Sequence, residues 1–138
     1  MSLASLEAAC TRGVELTTKG DFVDALEAFR CCLRSVCLVS LRDATEEGSV
    51  KLLMARVVEY ATFLRIQLEL KKLEGSSDLV RIGELACHVT LCQVNDVHRY
   101  LALKQTQAKL FKMGNFMTAG HFARQILALE PAGVSNPL

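Results

Sequence analysis

The side chains of Cys87, His88 and Cys92 have the types that a metal site would use, and they lie close together in the sequence. Structural zinc takes four thiolate or imidazole ligands at the corners of a tetrahedron. On a helix, positions 87 and 92 are about 500° apart at ~100° per residue, so the two sulfurs share no face. A fourth ligand would have to come from elsewhere in the chain. We therefore predict no metal site and no cofactor.

The pair Cys31-Cys32 could supply a nucleophile if a histidine activated one of the thiols. The three histidines, His88, His98 and His121, lie far from this pair in the sequence, and no glycine-rich turn accompanies it. The glycines are scattered and form no phosphate-binding loop. We predict no catalytic residue, no small-molecule substrate and no enzyme activity, so that the chain acts by binding.

The cysteines of this chain are even in number, which permits disulfide bonds without requiring them. Their neighbours are apolar residues at helical spacing, an environment in which cysteine behaves as a small buried hydrophobic side chain. A reducing compartment keeps such thiols free. We therefore expect free thiols at Cys10, Cys31, Cys32, Cys37, Cys87 and Cys92.

The composition is richer in apolar residues than that of a typical soluble domain. Apolar residues make up 51% of the 138 residues, and the mean hydropathy is +0.25. A chain of this length can bury a sizeable core as one domain. The apolar surplus indicates either a dense core or a face that a partner covers, and both alternatives stay open. We predict one helical domain over residues 1–131 and a frayed tail over 132–138.

The total charge is almost balanced, with 16 basic and 15 acidic side chains. Nucleic-acid-binding proteins usually carry a basic excess, and anionic membranes attract polybasic segments. No stretch approaches the ~18 apolar residues of a membrane span, and Glu7 interrupts the weakly apolar start, so no signal peptide is expected. We predict a cytoplasmic protein without a nucleic-acid partner and without direct membrane insertion.

Apolar residues recur three or four positions apart along most of the chain, which is the period of an amphipathic helix. We predict an all-α fold, an irregular antiparallel bundle of about six helices. Leu79, Phe111, Phe116 and Leu127 are among the side chains expected to face inward. The predicted helices cover residues 3–18, 21–40, 50–73, 79–91, 97–113 and 116–129, with a loop at 41–49 in which Thr45 or Ser49 caps the third helix, and with Pro131 after the sixth.

Two short segments separate predicted helices in the same way, Gly20-Asp21-Phe22 and Gly114-Asn115-Phe116. Glycine adopts the left-handed backbone that closes a helix, and aspartate or asparagine can cap the next one. An alanine follows each phenylalanine after three residues and allows close helix packing. These units resemble the second half of a tetratricopeptide repeat, although they lie 94 residues apart, and one repeat is ~34 residues long. We predict tetratricopeptide-like hairpins within the irregular bundle.

The third predicted helix has two apolar sides, as expected for a central helix between two neighbours. Its second side contains Leu53, Tyr60 and Phe63. These three residues are our candidates for a partner-binding face. The alternative is that they pack against other helices of the same chain, because both sides of a central helix need to be covered.

A longer pattern extends over about residues 15–131 and resembles the C-terminal region of the coatomer alpha subunit. The order and spacing of the matching segments agree over nearly the whole chain. Phe22, Ala25 and Phe29-Arg30 begin the pattern, Glu59-Tyr60 and Glu69 to Leu73 continue it, and Asp96-Val97-His98, Leu110 to Phe116, Thr118 to Leu127 and Glu130-Pro131 complete it. The family subunit is much longer than this chain, so the resemblance implies a fragment.

The resemblance implies a non-catalytic scaffold role in the COPI vesicle coat. It implies other coatomer subunits as partners, foremost the epsilon subunit, and a cytoplasmic protein held peripherally on Golgi membranes and COPI-coated vesicles. The competing hypothesis is an independent tetratricopeptide-like adaptor that binds short peptides in a groove. A solvent-exposed groove with polar anchors would favour the adaptor, and a closed bundle would exclude it.

Overall fold

The computed structural model describes residues 2–129 of the chain. Within them lie six α-helices, a short 3₁₀ segment and no β-strand, so the predicted all-α fold is confirmed. The stop at Pro131 and the frayed tail at 132–138 lie outside the described residues. The helices are α1 (Leu3–Lys19), α2 (Phe22–Ser35), α3 (Ala44–Lys72), α4 (Leu79–Val89), α5 (Asp96–Lys112) and α6 (Phe116–Leu129), and the 3₁₀ segment Val36–Leu38 follows α2.

The contacts of the chain divide into two compact units, Met1–Leu68 and Glu69–Leu138. The first unit contains α1, α2 and most of α3, and the second contains the last residues of α3 with α4, α5 and α6. The organisation as a single domain over residues 1–131 stays a prediction. Each unit is described by itself.

In the first unit, α1 and α2 form a helical hairpin around Gly20. Ser2 caps α1, because its Oγ accepts a hydrogen bond from the backbone N–H of Ser5 at 3.3 Å. Gly20 has a φ of 86°, and the backbone N–H of Asp21 donates to the carbonyl of Leu16 at 3.0 Å. Asp21 stands at the N-cap of α2 but makes no side-chain capping bond. The turn therefore depends on the glycine backbone and not on the aspartate side chain.

Three buried aromatic rings form the centre of the first unit. The Phe29 ring on α2 lies against the backbone of α1 at Gly13, where a Cβ atom would sit 2.7 Å from Phe29 Cζ. Tyr60 on α3 stacks on Phe29 with the ring centroids 5.1 Å apart. Phe63 meets Tyr60 edge to face at 6.4 Å. Gly13 thus leaves room for the Phe29 ring of α2 to pack directly on the backbone of α1.

Alanine at Gly13 is expected to destabilise the chain, whereas alanine at Gly83 in α4 is expected to stabilise it. A methyl group at position 13 overlaps the Phe29 ring, and overpacking a core costs about 1–3 kcal/mol. The helix preference for alanine over glycine, about 1 kcal/mol, offsets only part of this cost. At position 83 the nearest atom to the new methyl is Met113 Sδ at 3.6 Å, an ordinary contact. Urea unfolding of both variants measures the difference, and a Gly13→Ala midpoint at or above that of Gly83→Ala would contradict the close packing.

The third helix begins six residues earlier than predicted, at Ala44 and not at Val50. The backbone N–H of Glu46 donates to Asp43 Oδ1 at 2.9 Å, and Glu46 Oε2 accepts from the backbone N–H of Arg42 at 2.7 Å. These reciprocal bonds satisfy donors at the helix start in the manner of a capping box. The predicted cap at Thr45 or Ser49 is wrong, since both residues lie inside the helix. The acidic segment is therefore a helix start and not a loop.

In the second unit, α5 lies between α4 and α6. Asp78 caps α4, because its Oδ1 accepts from the backbone N–H of Arg81 at 3.1 Å. The buried hydroxyl of Thr106 on α5 donates to the Ala86 carbonyl on α4 at 2.8 Å, which fixes the two helices in register. The apolar core of this unit joins α5 to α6 and consists of Leu103, Leu110, Ala119 and Phe122, with Cys87, Ile126 and Leu129 packed against it.

Candidate partner-binding surface

The three residues predicted as a partner-binding face differ in their exposure. Tyr60 and Phe63 are buried in the core, where Tyr60 stacks on Phe29. Arg56 lies over the Tyr60 ring, with its Cζ 5.8 Å from the ring centroid. Leu53 is half-buried. Only Leu53 among the three therefore keeps part of its side chain within reach of a partner.

The cysteines and histidines do not assemble a metal site in the described part of the chain. No three His, Cys, Asp or Glu side chains of residues 2–129 lie close enough together to hold an ion. All six thiols are free. Burial raises the pKa of the thiols of Cys10, Cys32 and Cys87, so these three stay protonated at neutral pH. None of the described helices is both long and apolar enough to cross a bilayer.

The turn between α5 and α6 is built as the sequence predicts. Gly114 has a φ of 82°, and the backbone N–H of Asn115 donates to the Leu110 carbonyl at 3.0 Å. Asn115 Oδ1 then accepts from the backbone N–H of Thr118 at 3.3 Å and caps α6. Two helices joined by so short a turn lie against each other, and the described residues bury Leu110, Ala119 and Phe122 between them.

The opposite side of this hairpin exposes large apolar side chains. Phe111 and Phe116 are 57% and 61% exposed, and their rings meet edge to face with centroids 5.0 Å apart. Met117 beside them is 89% exposed. We call Phe111, Phe116 and Met117 the hairpin cap. Leu79 and Leu127 are also exposed, so the expectation that Leu79, Phe111, Phe116 and Leu127 face inward is wrong.

The α5–α6 hairpin is also strongly basic. Residues 97–129 contain no aspartate and no glutamate. The near-neutral total charge of the chain conceals this asymmetry, because the acidic side chains lie outside the segment. The basic side chains of the segment are Arg99, Lys104, Lys109, Lys112 and Arg124. The hairpin thus combines exposed aromatic side chains with a local excess of positive charge, a combination suited to an acidic partner with apolar anchors.

A groove of about 570 Å³ runs along α4 in the second unit. Leu79 and Val80 form one wall, and Leu110 and Met113 form the other. Gly83 also lines the groove, and a Cβ atom there would contact Met113 Sδ at 3.6 Å. The polar side chains at the groove are Glu84, His88 and Asn115. Its size and apolar walls fit the side chains of a short peptide.

Comparison with known proteins decides the family. Residues 1–136 match the family described as the C-terminus of the coatomer (COPI) alpha subunit. This chain belongs to that coatomer alpha family. The coatomer subunit alpha-2 of Arabidopsis thaliana is 38% identical over 128 residues, which cover 93% of this chain. The coatomer alpha subunits of Dictyostelium discoideum and Saccharomyces cerevisiae are 31% and 33% identical over 88% and 79% of it.

The chain spans about a tenth of the length of these coatomer alpha relatives, between 9% and 10%. The resemblance to the C-terminal region of the coatomer alpha subunit is therefore confirmed. The hairpin cap lies inside the segment that carries the resemblance, which extends through Leu110 to Phe116 and onward into α6.

The sequence contains two signals for this surface that total composition does not show. The first is the local absence of acidic residues over 97–129. The second is the pair Phe111 and Phe116, which flanks a glycine turn, so that both rings emerge at the same end of the hairpin. A residue-by-residue charge profile is therefore the sequence signal that points to the hairpin.

Proposed function

We propose that this chain is a non-catalytic scaffold element of the COPI vesicle coat. The observation that carries the proposal is the family match over residues 1–136, together with coatomer alpha relatives that cover most of the chain. The all-helical hairpins fit a scaffold role, because such hairpins present broad, rigid faces to neighbouring subunits. On this proposal the chain works on the cytoplasmic side of Golgi membranes and on COPI-coated vesicles.

Within the coat, the proposed partner is another coatomer subunit, foremost the epsilon subunit, and the proposed contact is the hairpin cap. Aromatic side chains that are exposed at a turn make good binding anchors, because they have few rotamers and therefore lose little conformational entropy on binding. The excess of basic side chains over residues 97–129 favours an acidic counterpart. Leu53 stays a proposed contact on α3. Tyr60 and Phe63 support that face from within the core.

Binding to the epsilon subunit from the same source tests the proposal directly. Isothermal titration of the 138-residue chain with purified epsilon subunit is expected to give a 1:1 complex. The heat capacity change should be negative, because apolar surface is buried on binding. A titration without heat, together with separate elution of the two proteins on size exclusion, would reject the epsilon subunit as partner.

The groove along α4 supports a second candidate, a peptide-binding adaptor. Its apolar walls at Leu79, Val80 and Met113 would take apolar side chains, and Glu84 and His88 would anchor polar groups. The substitution Val80→Glu places a charge on the exposed wall. Loss of peptide binding in this variant with unchanged epsilon binding would favour the adaptor role for the groove, and the converse result would favour the scaffold role alone.

A further inference from the structure

A second pocket of the Glu69–Leu138 unit is more polar than the groove along α4, although Leu91 and Phe122 also line it. It has a volume of about 340 Å³ and lies between the end of α4, the start of α5 and the middle of α6. Three of its lining side chains can carry positive charge, and none is acidic. The lining residues that matter for its chemistry are His88, Gln93, Arg99, His121 and Gln125.

The Arg99 guanidinium has an unmet hydrogen bond at this pocket. Its Nε atom is buried and has no hydrogen-bond partner among the described residues. A buried N–H donor without an acceptor lowers the stability of the fold unless a ligand or water accepts its hydrogen bond. The buried Nε therefore needs an explanation. The guanidinium of arginine presents its N–H groups as a fork that matches two oxygens of a phosphate or carboxylate.

The neighbours of Arg99 leave the pocket free of competing negative charge. Cys87 is half-buried, and burial raises the pKa of its thiol, which therefore stays neutral. The carbonyl of Cys87 at the end of α4 already accepts from the Thr90 hydroxyl at 2.6 Å, and that of His88 accepts from the Leu91 N–H at 3.0 Å. Neither carbonyl remains as an evident partner for the arginine.

On the α6 side, the pocket offers further donors. His121 Nε2 and Gln125 Nε2 are 2.8 Å apart. An amide nitrogen only donates, so in this contact the Gln125 side chain donates to the His121 imidazole. His88 and His121 are both exposed, so they stand at the solvent side of the pocket, while the Nε of Arg99 is buried. This arrangement combines a guanidinium whose Nε is buried with two imidazoles that reach solvent.

We propose that this pocket is a binding site for a phosphate monoester, with Arg99 as the principal ligand and His88, His121 and Gln125 as further donors. A phosphate monoester carries more than one negative charge at neutral pH and several acceptor oxygens, which suits the cationic arginine and the N–H donors of the histidines and Gln125. The volume leaves room for the group that bears the phosphate. A soluble phosphate ester and the headgroup of a phosphatidic acid share this chemistry.

Nuclear magnetic resonance titration of the 138-residue chain tests the site. Inorganic phosphate and glycerol phosphate are each added at constant ionic strength. The chemical shifts of the amide and side-chain signals of Arg99, His121 and Gln125 are expected to change and to reach a plateau as ligand is added. The variant Arg99→Gln should bind at least about tenfold more weakly, since a hydrogen bond to a charged group is lost. His121→Ala, at an exposed position, provides a second variant if Arg99→Gln fails to fold.

The variant Arg124→Gln is the matched control, because Arg124 is an exposed arginine on α6 outside the pocket lining. It should bind phosphate as the original chain does. Equal weakening in Arg99→Gln and Arg124→Gln would mean unspecific attraction and would overturn the site, as would shifts that do not saturate.

Flotation with phosphatidylcholine vesicles, with and without phosphatidic acid, distinguishes the two sources of the phosphate. Arg99-dependent flotation that requires phosphatidic acid identifies a lipid headgroup. Arg99-dependent binding of glycerol phosphate without flotation identifies a soluble ester. The absence of both would overturn the proposal.

Discussion

Replacing Phe29 with alanine is expected to lower the free energy of unfolding by about 3–5 kcal/mol. The Phe29 side chain is fully buried between the Gly13 backbone of α1 and the Tyr60 ring of α3, so its removal opens a cavity that these neighbours cannot fill. The stacking contribution of the aromatic pair is lost as well. A loss of this size is a large fraction of the ~5–15 kcal/mol that stabilises a typical domain.

Urea unfolding followed by circular dichroism measures this loss as a shift of the midpoint. The control is Phe111→Ala, the same substitution at a position that is 57% exposed. It should change the unfolding free energy by less than about 1 kcal/mol, because little apolar area leaves the core. Equal effects of the two substitutions would show that the Phe29 stack is not the centre of its unit.

Replacing both Phe111 and Phe116 with serine is expected to weaken binding to the epsilon subunit at least about thirtyfold. Aromatic anchors at the centre of an interface typically contribute about 2 kcal/mol or more each, and about 1.4 kcal/mol corresponds to a factor of ten. The two rings contact each other, so their effects are coupled and the double variant is the informative one. Titration calorimetry with the epsilon subunit measures the change.

The control for this experiment is Val23→Ser on α2, which removes an apolar side chain that is also exposed, in the other unit. It should leave the affinity unchanged. If Val23→Ser weakens binding while the double phenylalanine variant does not, the partner contacts the first unit and the hairpin cap has another purpose. Thermal unfolding of each variant shows whether a loss of affinity reflects a loss of structure.

Much of the fold follows from local sequence signals. The period of the apolar residues and the two Gly-Asx-Phe turns predict the helices and both hairpins, because these features depend on residues close together in the chain. The start of α3 does not follow from them, since it depends on a reciprocal bond pair between Asp43, Glu46 and the Arg42 backbone. From sequence alone, the acidic segment at 43–48 with its glycine has the composition of a loop, and only these hydrogen bonds show that it begins a helix.

The inward face of α6 shows why periodicity alone misplaces some side chains. At ~100° per residue, Ala119 lies near the middle of the apolar arc of α6 and Phe122 lies toward one edge. Phe116 and Leu127, eleven residues apart, lie together at the other edge. The described structure buries Ala119 and Phe122 and exposes Phe116 and Leu127. The width of an apolar arc can be read from sequence, but how much of it the neighbouring helix covers depends on packing.

The candidate site is harder to predict than the fold. A helix with two apolar sides offers no sequence signal for which side the chain itself covers, so the sequence alone does not reveal that Tyr60 and Phe63 are buried. Their burial follows from contacts with residues distant in sequence, such as Phe29. The basic hairpin is hidden in the composition because 16 basic and 15 acidic side chains nearly cancel over the whole chain.

The absence of acidic residues from 97–129 also has a kinetic consequence. A local positive field acts on an approaching acidic protein before any contact forms, over a Debye length of about 8 Å at physiological ionic strength. It raises the frequency of productive encounters and orients the hairpin toward its target. The rate of complex formation should therefore fall as salt is added, while the lifetime of the formed complex depends on the two phenylalanine rings and changes little.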